Sequence, residues 1–320
     1  EQTPPHLRRA GSCSGFREAS SLRKLTAQVC WQNGRENVGI VAATGCNTVF
    51  SSTYPYNPFL VPWINSLFEN APAVAMGIRK RWDQRGWADK SIWVVGGDGA
   101  MFDIGFGSLS RMLASGLDIN VLVLDTQVYS NTGGQASTSS FTGQMAKMAP
   151  YGEVHKGKLE ARKDIARIAM MHPAVFVAQT TAAHVKHFYD AVAAATTYPG
   201  PSLVVVYSTC QPEHGVGDAL AAQQARLAVE SRAFPLLVHD PRRGDRLRER
   251  LDLKGNPSLR ADWHQDKQGE VVDFVRFARS EGRFRRQFNR EGEPSPEILT
   301  AQELVLRRWR LLQEMAGLDV

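Results

Sequence analysis

An aspartate set among glycines, Gly96-Gly97-Asp98-Gly99, and a hydroxyl 28 positions later, Thr126 in Asp125-Thr126-Gln127-Val128, have types and spacing that can do chemistry. A bare carboxylate repels a diphosphate, so an aspartate in such a turn calls for a cation between the two. Mg²⁺ takes oxygen ligands in near-octahedral geometry, one or two from the protein and the rest from phosphate and water. Asp98 offers a carboxylate, Thr126 a hydroxyl and Val128 its backbone carbonyl. Gly97, Gly99 and Gly105 let backbone N–H groups approach phosphate closely. The chemistry these residues predict is a metal-bridged diphosphate.

Two elements must hold those oxygens together. Ser91-Ile92-Trp93-Val94-Val95 and the run from Ile119 to Leu124 are short and apolar, as in buried parallel strands. The first ends at the glycine turn, followed by a helix through Leu109, Met112 and Leu113; the second ends at Asp125-Thr126. Both turns then fall at carboxyl ends of strands, where open α/β sheets place their ligands. Further strands are expected at 38–43, 174–178 and 203–207. Helices are expected from about Phe16 through Val29, over 65–81 with Leu67, Phe68, Val74 and Ile78 inward, over 145–151 and 156–167, and over 182–196. Five strands alternating with helices predict an α/β fold with a doubly wound, mostly parallel sheet. Residues 51–59, rich in proline and aromatics, read as a loop.

The string GDGAMFDIGFG…LASG…DTQVYSNTGGQ resembles the thiamine-diphosphate-binding domain of pyruvate:ferredoxin (flavodoxin) oxidoreductase and its 2-oxoacid:acceptor relatives, in pieces from about Gly11 to Cys210. The resemblance implies that Asp98, Thr126 and Val128 hold Mg²⁺ and that Gly97, Gly99 and Gly105 cradle the diphosphate of thiamine diphosphate. It places Asn131 beside the reacting centre, where an amide can hydrogen-bond a developing enolate or the cofactor, and Glu18 near the cofactor. It also implies a [4Fe–4S] cluster. Cys13, Cys46 and Cys210 stand at three of the family's four ligand positions, but the fourth is Phe16, and Arg17 replaces a glycine. Such clusters are normally held by four thiolates. Cys30, in mid-helix, reads as a small buried hydrophobe.

By the same resemblance the activity is oxidative decarboxylation of a 2-oxoacid, with pyruvate the family's usual substrate. Coenzyme A takes the acyl group, and electrons pass through iron–sulfur centres to ferredoxin or flavodoxin. One α/β unit supplies only the diphosphate half of a thiamine site, so the pyrimidine-binding half is expected from another domain or subunit, in an oligomer. Two other readings are a non-oxidative thiamine-dependent decarboxylase and a non-catalytic assembly module of a larger complex.

Composition sets the bounds. At 320 residues and 43% hydrophobic the chain can bury a large core, and no apolar run is long enough to span a membrane. Its net charge of +6 is mild and lacks the basic, aromatic-interleaved stripe of nucleic-acid binders. Four cysteines make no disulfide framework, and a cytoplasmic setting is expected. Residues 1–10 read as a linker, and a start without Met reads as a piece of a longer polypeptide or a processed form. Of the last 90 residues 33 are charged, against 37 of the first 230, so residues 1–230 read as the binding domain and 231–320 as a largely helical extension. In that extension Ser295-Pro296 reads as a helix start and Gly317 as its stop, with Ile298, Val305, Trp309, Leu312 and Ala316 on one face. His184 and His187 read as helix-surface residues and His214 as a loop residue.

Overall fold

The computed structural model describes residues 12–51, 58–150, 152, 154 and 156–318. In chain order the elements begin with α1 (Arg17–Asn33), β1 (Val38–Ala42), α2 (Cys46–Ser51), β2 (Trp63–Asn65), α3 (Ala71–Gln84) and β3 (Ser91–Gly97). A π-helical turn (Gly99–Ile104) leads to α4 (Phe106–Leu113), β4 (Asn120–Asp125), α5 (Ile165–Met170), β5 (Phe176–Thr181), α6 (Val185–Thr196) and β6 (Ser202–Tyr207). The chain continues through α7 (Gln211–His214), α8 (Ala221–Glu230), β7 (Leu237–His239), α9 (Leu247–Arg250) and β8 (Leu251–Asp252). It closes with the short hairpin of β9 (His264–Gln265) and β10 (Val271–Val272), then α10 (Phe274–Arg279) and α11 (Pro296–Met315).

The main sheet has the order β2-β1-β3-β4-β6-β5-β7-β8. Its first six members run parallel, β7 runs antiparallel to β5, and β8 pairs antiparallel with β7. Side-chain alternation explains why both faces are dry. Along β3, Ile92 and Val94 join one buried cluster with α3, α4, α5, α8, α10 and α11, while Trp93 and Val95 join another with α1 and α6. All five expected parallel strands are present, displaced by at most three residues at either end. Among the described residues no helix is long and apolar enough to cross a membrane.

Three expected helices differ. The span 65–81 begins as the end of β2, and the helix starts only at Ala71, with Pro72 in its first turn. Leu67 is exposed, whereas Phe68, Val74 and Ile78 pack partly buried against the core as expected, beside the fully buried Ala71 and Ala75. Residues 145–150 and 156–164 are not helical, because their backbone groups bond across loops: Met145 N–H to the Arg283 carbonyl, Lys158 N–H to Gln144, Lys163 N–H to Thr138. Residues 1–11, 52–57 and Tyr151, which the linker, loop and helix expectations included, lie outside the described residues.

The charged stretch from 231 does more than add helices. Its β7 and β8 continue the sheet beyond β5, and Phe274, Phe277, Ile298 and Trp309 are fully buried in the same cluster as β3 and β4 residues. The helix α11 is capped as expected: the Ser295 hydroxyl accepts from the Ile298 N–H, and Gly317 closes the helix at φ +68°.

Candidate diphosphate and metal site

Asp98 directly follows β3 and Thr126 directly follows β4, and these strands are parallel neighbours with Gly97 opposite Leu124. Register alone therefore delivers the two residues side by side. Thr126 donates both its backbone N–H, at 3.2 Å, and its hydroxyl, at 3.0 Å, towards Asp98 Oδ1. The same hydroxyl lies 3.0 Å from the Val128 carbonyl. Adjacent ligands of an octahedral Mg²⁺ with bonds of about 2.0–2.1 Å are about 2.8–3.0 Å apart. Carboxylate, hydroxyl and carbonyl thus have the spacing and the hard-oxygen character of one edge-sharing set, and the residues fit Mg²⁺.

Burial and the nearby Asp125 push the Asp98 carboxyl up to about 7, against hydrogen bonds from Ser137 and Thr126. A bound cation would favour the charged form. Ser137 holds the other carboxylate oxygen at 2.5 Å. Its neighbours do the same for two more acids: Thr138 donates to Asp103, and Ser139 reaches Asp125 at 2.6 Å. Asp125 also pairs with the buried Arg162. Sequence reasoning passed over this run; its only signal was four consecutive hydroxyl residues, Ser137 to Ser140, after the Gly133-Gly134 turn.

The cleft over these oxygens is lined by Glu18, Thr44, Gly97, Asp98, Tyr129 and Asn131 among others. Glu18, in the first turn of α1, is buried, and its Oε2 has no hydrogen-bond partner among the described residues. Burial, then the Asp98 charge, hold its carboxyl well above the ordinary range. Asn131 stands exposed at the rim. Of the three glycines, Gly97 would meet only the Leu124 carbonyl at 3.8 Å if given a Cβ. Gly99 and Gly105 are required by the protein itself: a Cβ at 99 would enter the Tyr129 ring, and one at 105 would lie 2.6 Å from the Ala100 carbonyl and 2.9 Å from that of Phe68.

His214 is not a loop residue. It ends α7, is fully buried, and its Nε2 lies 2.7 Å from the Thr126 carbonyl. A carbonyl only accepts, so this nitrogen carries the ring proton. His184 immediately precedes α6 and His187 lies within it; both are partly buried and bond threonine hydroxyls, Thr181 and Thr180.

Cys13 is exposed, Cys46 and Cys30 are half-buried and Cys210 is buried, and Cys13 and Cys210 lie near enough to Cys46 to act on its thiol electrostatically. Among the described residues no group of three or more His, Cys, Asp or Glu side chains is gathered to hold a metal ion. Phe16 is 6% exposed and packs edge-on against Phe50, with ring centroids 6.2 Å apart. The donor set does not fit a four-thiolate cluster.

Fold and site together define a diphosphate-binding α/β domain, and residues 43–206 match the family described as thiamine pyrophosphate enzyme, C-terminal TPP binding domain. Pyruvate synthase subunit PorB of Thermotoga maritima is 33% identical over 84% of this chain and 80% of its own. The probable pyruvate-flavodoxin oxidoreductase of Escherichia coli is 30% identical over 98% of this chain and 30% of its own length. A solved 2-oxoglutarate:ferredoxin oxidoreductase from Magnetococcus marinus, with 2-oxoglutarate, coenzyme A and succinyl-CoA bound, superposes with a TM-score of 0.55. That likeness, at 24% identity over 66% of this chain and 69% of the other, is one of fold. The chain belongs to the pyruvate:ferredoxin (flavodoxin) oxidoreductase family, as a thiamine-diphosphate-binding part. It spans about 30% of the length of the first curated relatives it matches.

Proposed function

We propose that this chain is the diphosphate-binding part of a 2-oxoacid oxidoreductase acting on pyruvate, with coenzyme A as acyl acceptor and ferredoxin or flavodoxin as electron acceptor. The observation that carries the reading is the set of three oxygens, from Asp98, Thr126 and Val128, at the ends of adjacent strands with 3.0 Å between successive members. Asp98, Thr126 and Val128 would hold Mg²⁺, with Gly97 leaving room for the diphosphate. Thiamine diphosphate, when bound, supplies an electron sink for the carbanion left by decarboxylation. Glu18, its carboxyl held well above the ordinary range by burial and then by the Asp98 charge, lines the cleft. Asn131 offers an amide N–H to an oxygen on which charge develops. The pyrimidine-binding half comes from another domain or subunit, in a cytoplasmic oligomer.

The test is acceptor reduction with pyruvate and coenzyme A by the chain assembled with its partner. Asp98→Ala is expected to lower thiamine diphosphate affinity by at least about a hundredfold and to abolish turnover, since one-sided loss of a metal ligand leaves the diphosphate facing no cation. Unchanged binding by that variant sinks the reading.

Phe16 favours a second reading. Only three of the family's four ligand positions carry cysteine in this chain, and a non-oxidative decarboxylase needs no cluster. Iron content of anaerobically prepared complex decides between the two. About four irons per chain, bound by Cys13, Cys46 and Cys210 and lost on Cys210→Ala, would restore the family's electron path.

A further inference from the structure

The turn that supplies two of the three metal-facing oxygens is backbone-strained. Gln127, between Thr126 and Val128, has φ +60°, a left-handed conformation that non-glycine residues rarely adopt. Its backbone carbonyl accepts from the Ser140 hydroxyl at 2.7 Å and from Gln144 Nε2 at 2.8 Å. Its side-chain oxygen accepts from Arg283 Nη2 at 2.7 Å. Arg283 also donates to Glu281 at 2.5 Å and to Gln144 at 3.2 Å, and both Arg283 and Glu281 side chains are fully buried. Glu281 in turn receives the Tyr207 hydroxyl at 3.0 Å and Gln224 at 2.9 Å, and lies 3.8 Å from His214. His214, whose Nδ1 has no hydrogen-bond partner among the described residues, separately donates to the Thr126 carbonyl. Two consecutive residues of the turn are therefore held from behind by buried polar groups, Gln127 by the Arg283–Glu281 pair from the far end of the chain and Thr126 by His214.

A buried ion pair is weak evidence for stability, since an apolar replacement often serves as well. Its use here is directional. Gln127 is also held through its N–H, which donates to Asp125 at 3.0 Å, and through its carbonyl. Losing the Arg283 contact on its side chain weakens that hold, and relaxation to negative φ would rotate the Thr126 and Val128 peptides away from Asp98. We propose that Arg283, with Glu281 and His214, is a positioning residue for the metal turn: it holds Gln127 in the left-handed state that keeps Thr126 Oγ1 and the Val128 carbonyl facing one cation. The inference rests on the reading of this site as a thiamine diphosphate–Mg²⁺ site.

The experiment titrates Mg²⁺ into the assembled enzyme with thiamine diphosphate and reads binding calorimetrically, beside melting temperature without ligand. Arg283→Met alone would strand Glu281, so the variant is Glu281→Gln with Arg283→Met, which removes both charges together. Its half-saturating Mg²⁺ concentration should rise by about tenfold or more, the usual cost of losing a partner behind a metal ligand. Adding Gln127→Gly should bring it back to within about threefold of the unaltered enzyme, because glycine takes positive φ without a latch, while the melting temperature stays low. Binding that is unaffected by the paired change, or a glycine that restores nothing, overturns the positioning role. Failure of the unaltered enzyme to bind thiamine diphosphate with Mg²⁺ overturns the site reading, and the positioning role with it. A paired variant that is too unstable to titrate is replaced by Gln127→Ala against Gln127→Gly; equal Mg²⁺ requirements in those two overturn the proposal.

Discussion

At the scale of single residues, the site depends on small side chains as much as on charged ones. Gly99 sits under the Tyr129 ring, and Tyr129 spends its hydroxyl on Asp103 at 3.0 Å. Gly99→Ala forces that ring to move in a packed region and should cost about 1–3 kcal/mol, read as a lowered urea midpoint. Gly107, inside α4, is the control, because a Cβ added there would meet nothing within 4 Å. Gly107→Ala is expected to be neutral or to stabilise by up to about 1 kcal/mol through helix propensity. Asp98 and Thr126 were legible in the sequence because an acid and a hydroxyl following two apolar runs have few other uses. His214 was not, since a histidine before a glycine looks the same whether it faces water or a buried carbonyl. Gly99 and Gly105 read as phosphate contacts, and the structure adds a packing reason that lies in residues distant along the chain, Tyr129 and Phe68.

At the scale of elements, the parallel strands were readable because each is a dense apolar run, and a strand buried on both faces needs no alternation. The strands β2, β7 and β8 are two or three residues long, too short for any period to show. The stretches 145–150 and 156–164 look helical in sequence because their lysines and arginines suit a helix surface. In the fold Lys158 and Arg162 turn inward instead: Lys158 donates to the Ser140 carbonyl at 2.8 Å, and Arg162 pairs with Asp125. The apolar stripe of α11 was readable at helical spacing, and its weight falls on Trp309. That side chain is fully buried, donates to the Ala261 carbonyl at 2.9 Å and lies under the Arg232 guanidinium at 4.1 Å. Trp309→Ala is expected to cost about 3–5 kcal/mol, checked by equilibrium denaturation. A loss below about 1 kcal/mol would mean that α11 is not part of the same cooperative unit as the sheet.

At the scale of the whole molecule, the cleft is lined by residues of α1, the segment after β1 and the turn carrying Asn131. Among the described residues one α/β sheet carries the oxygens of Asp98, Thr126 and Val128 proposed to face the metal, and a thiamine cofactor is long enough to need a second wall. The isolated chain is therefore expected to bind thiamine diphosphate weakly and not to turn over 2-oxoacid, with activity appearing on addition of the partner that supplies the pyrimidine half. Stopped-assay turnover with and without that partner checks it, and full activity of the chain alone would contradict it.

What the sequence determined by itself was local: strands from apolar density, turns from glycine, an acid and a hydroxyl at the ends of two such strands, and a capped amphipathic helix near the end of the chain. Those features are written in neighbouring residues, so they can be read without knowing the fold. The tertiary structure alone decided which distant groups meet. Arg283 reaches back across 156 positions to Gln127, and Ser137 reaches Asp98, because strand order and loop path bring them there. No periodicity encodes such a meeting, and buried polar groups find partners only once the chain has closed around them.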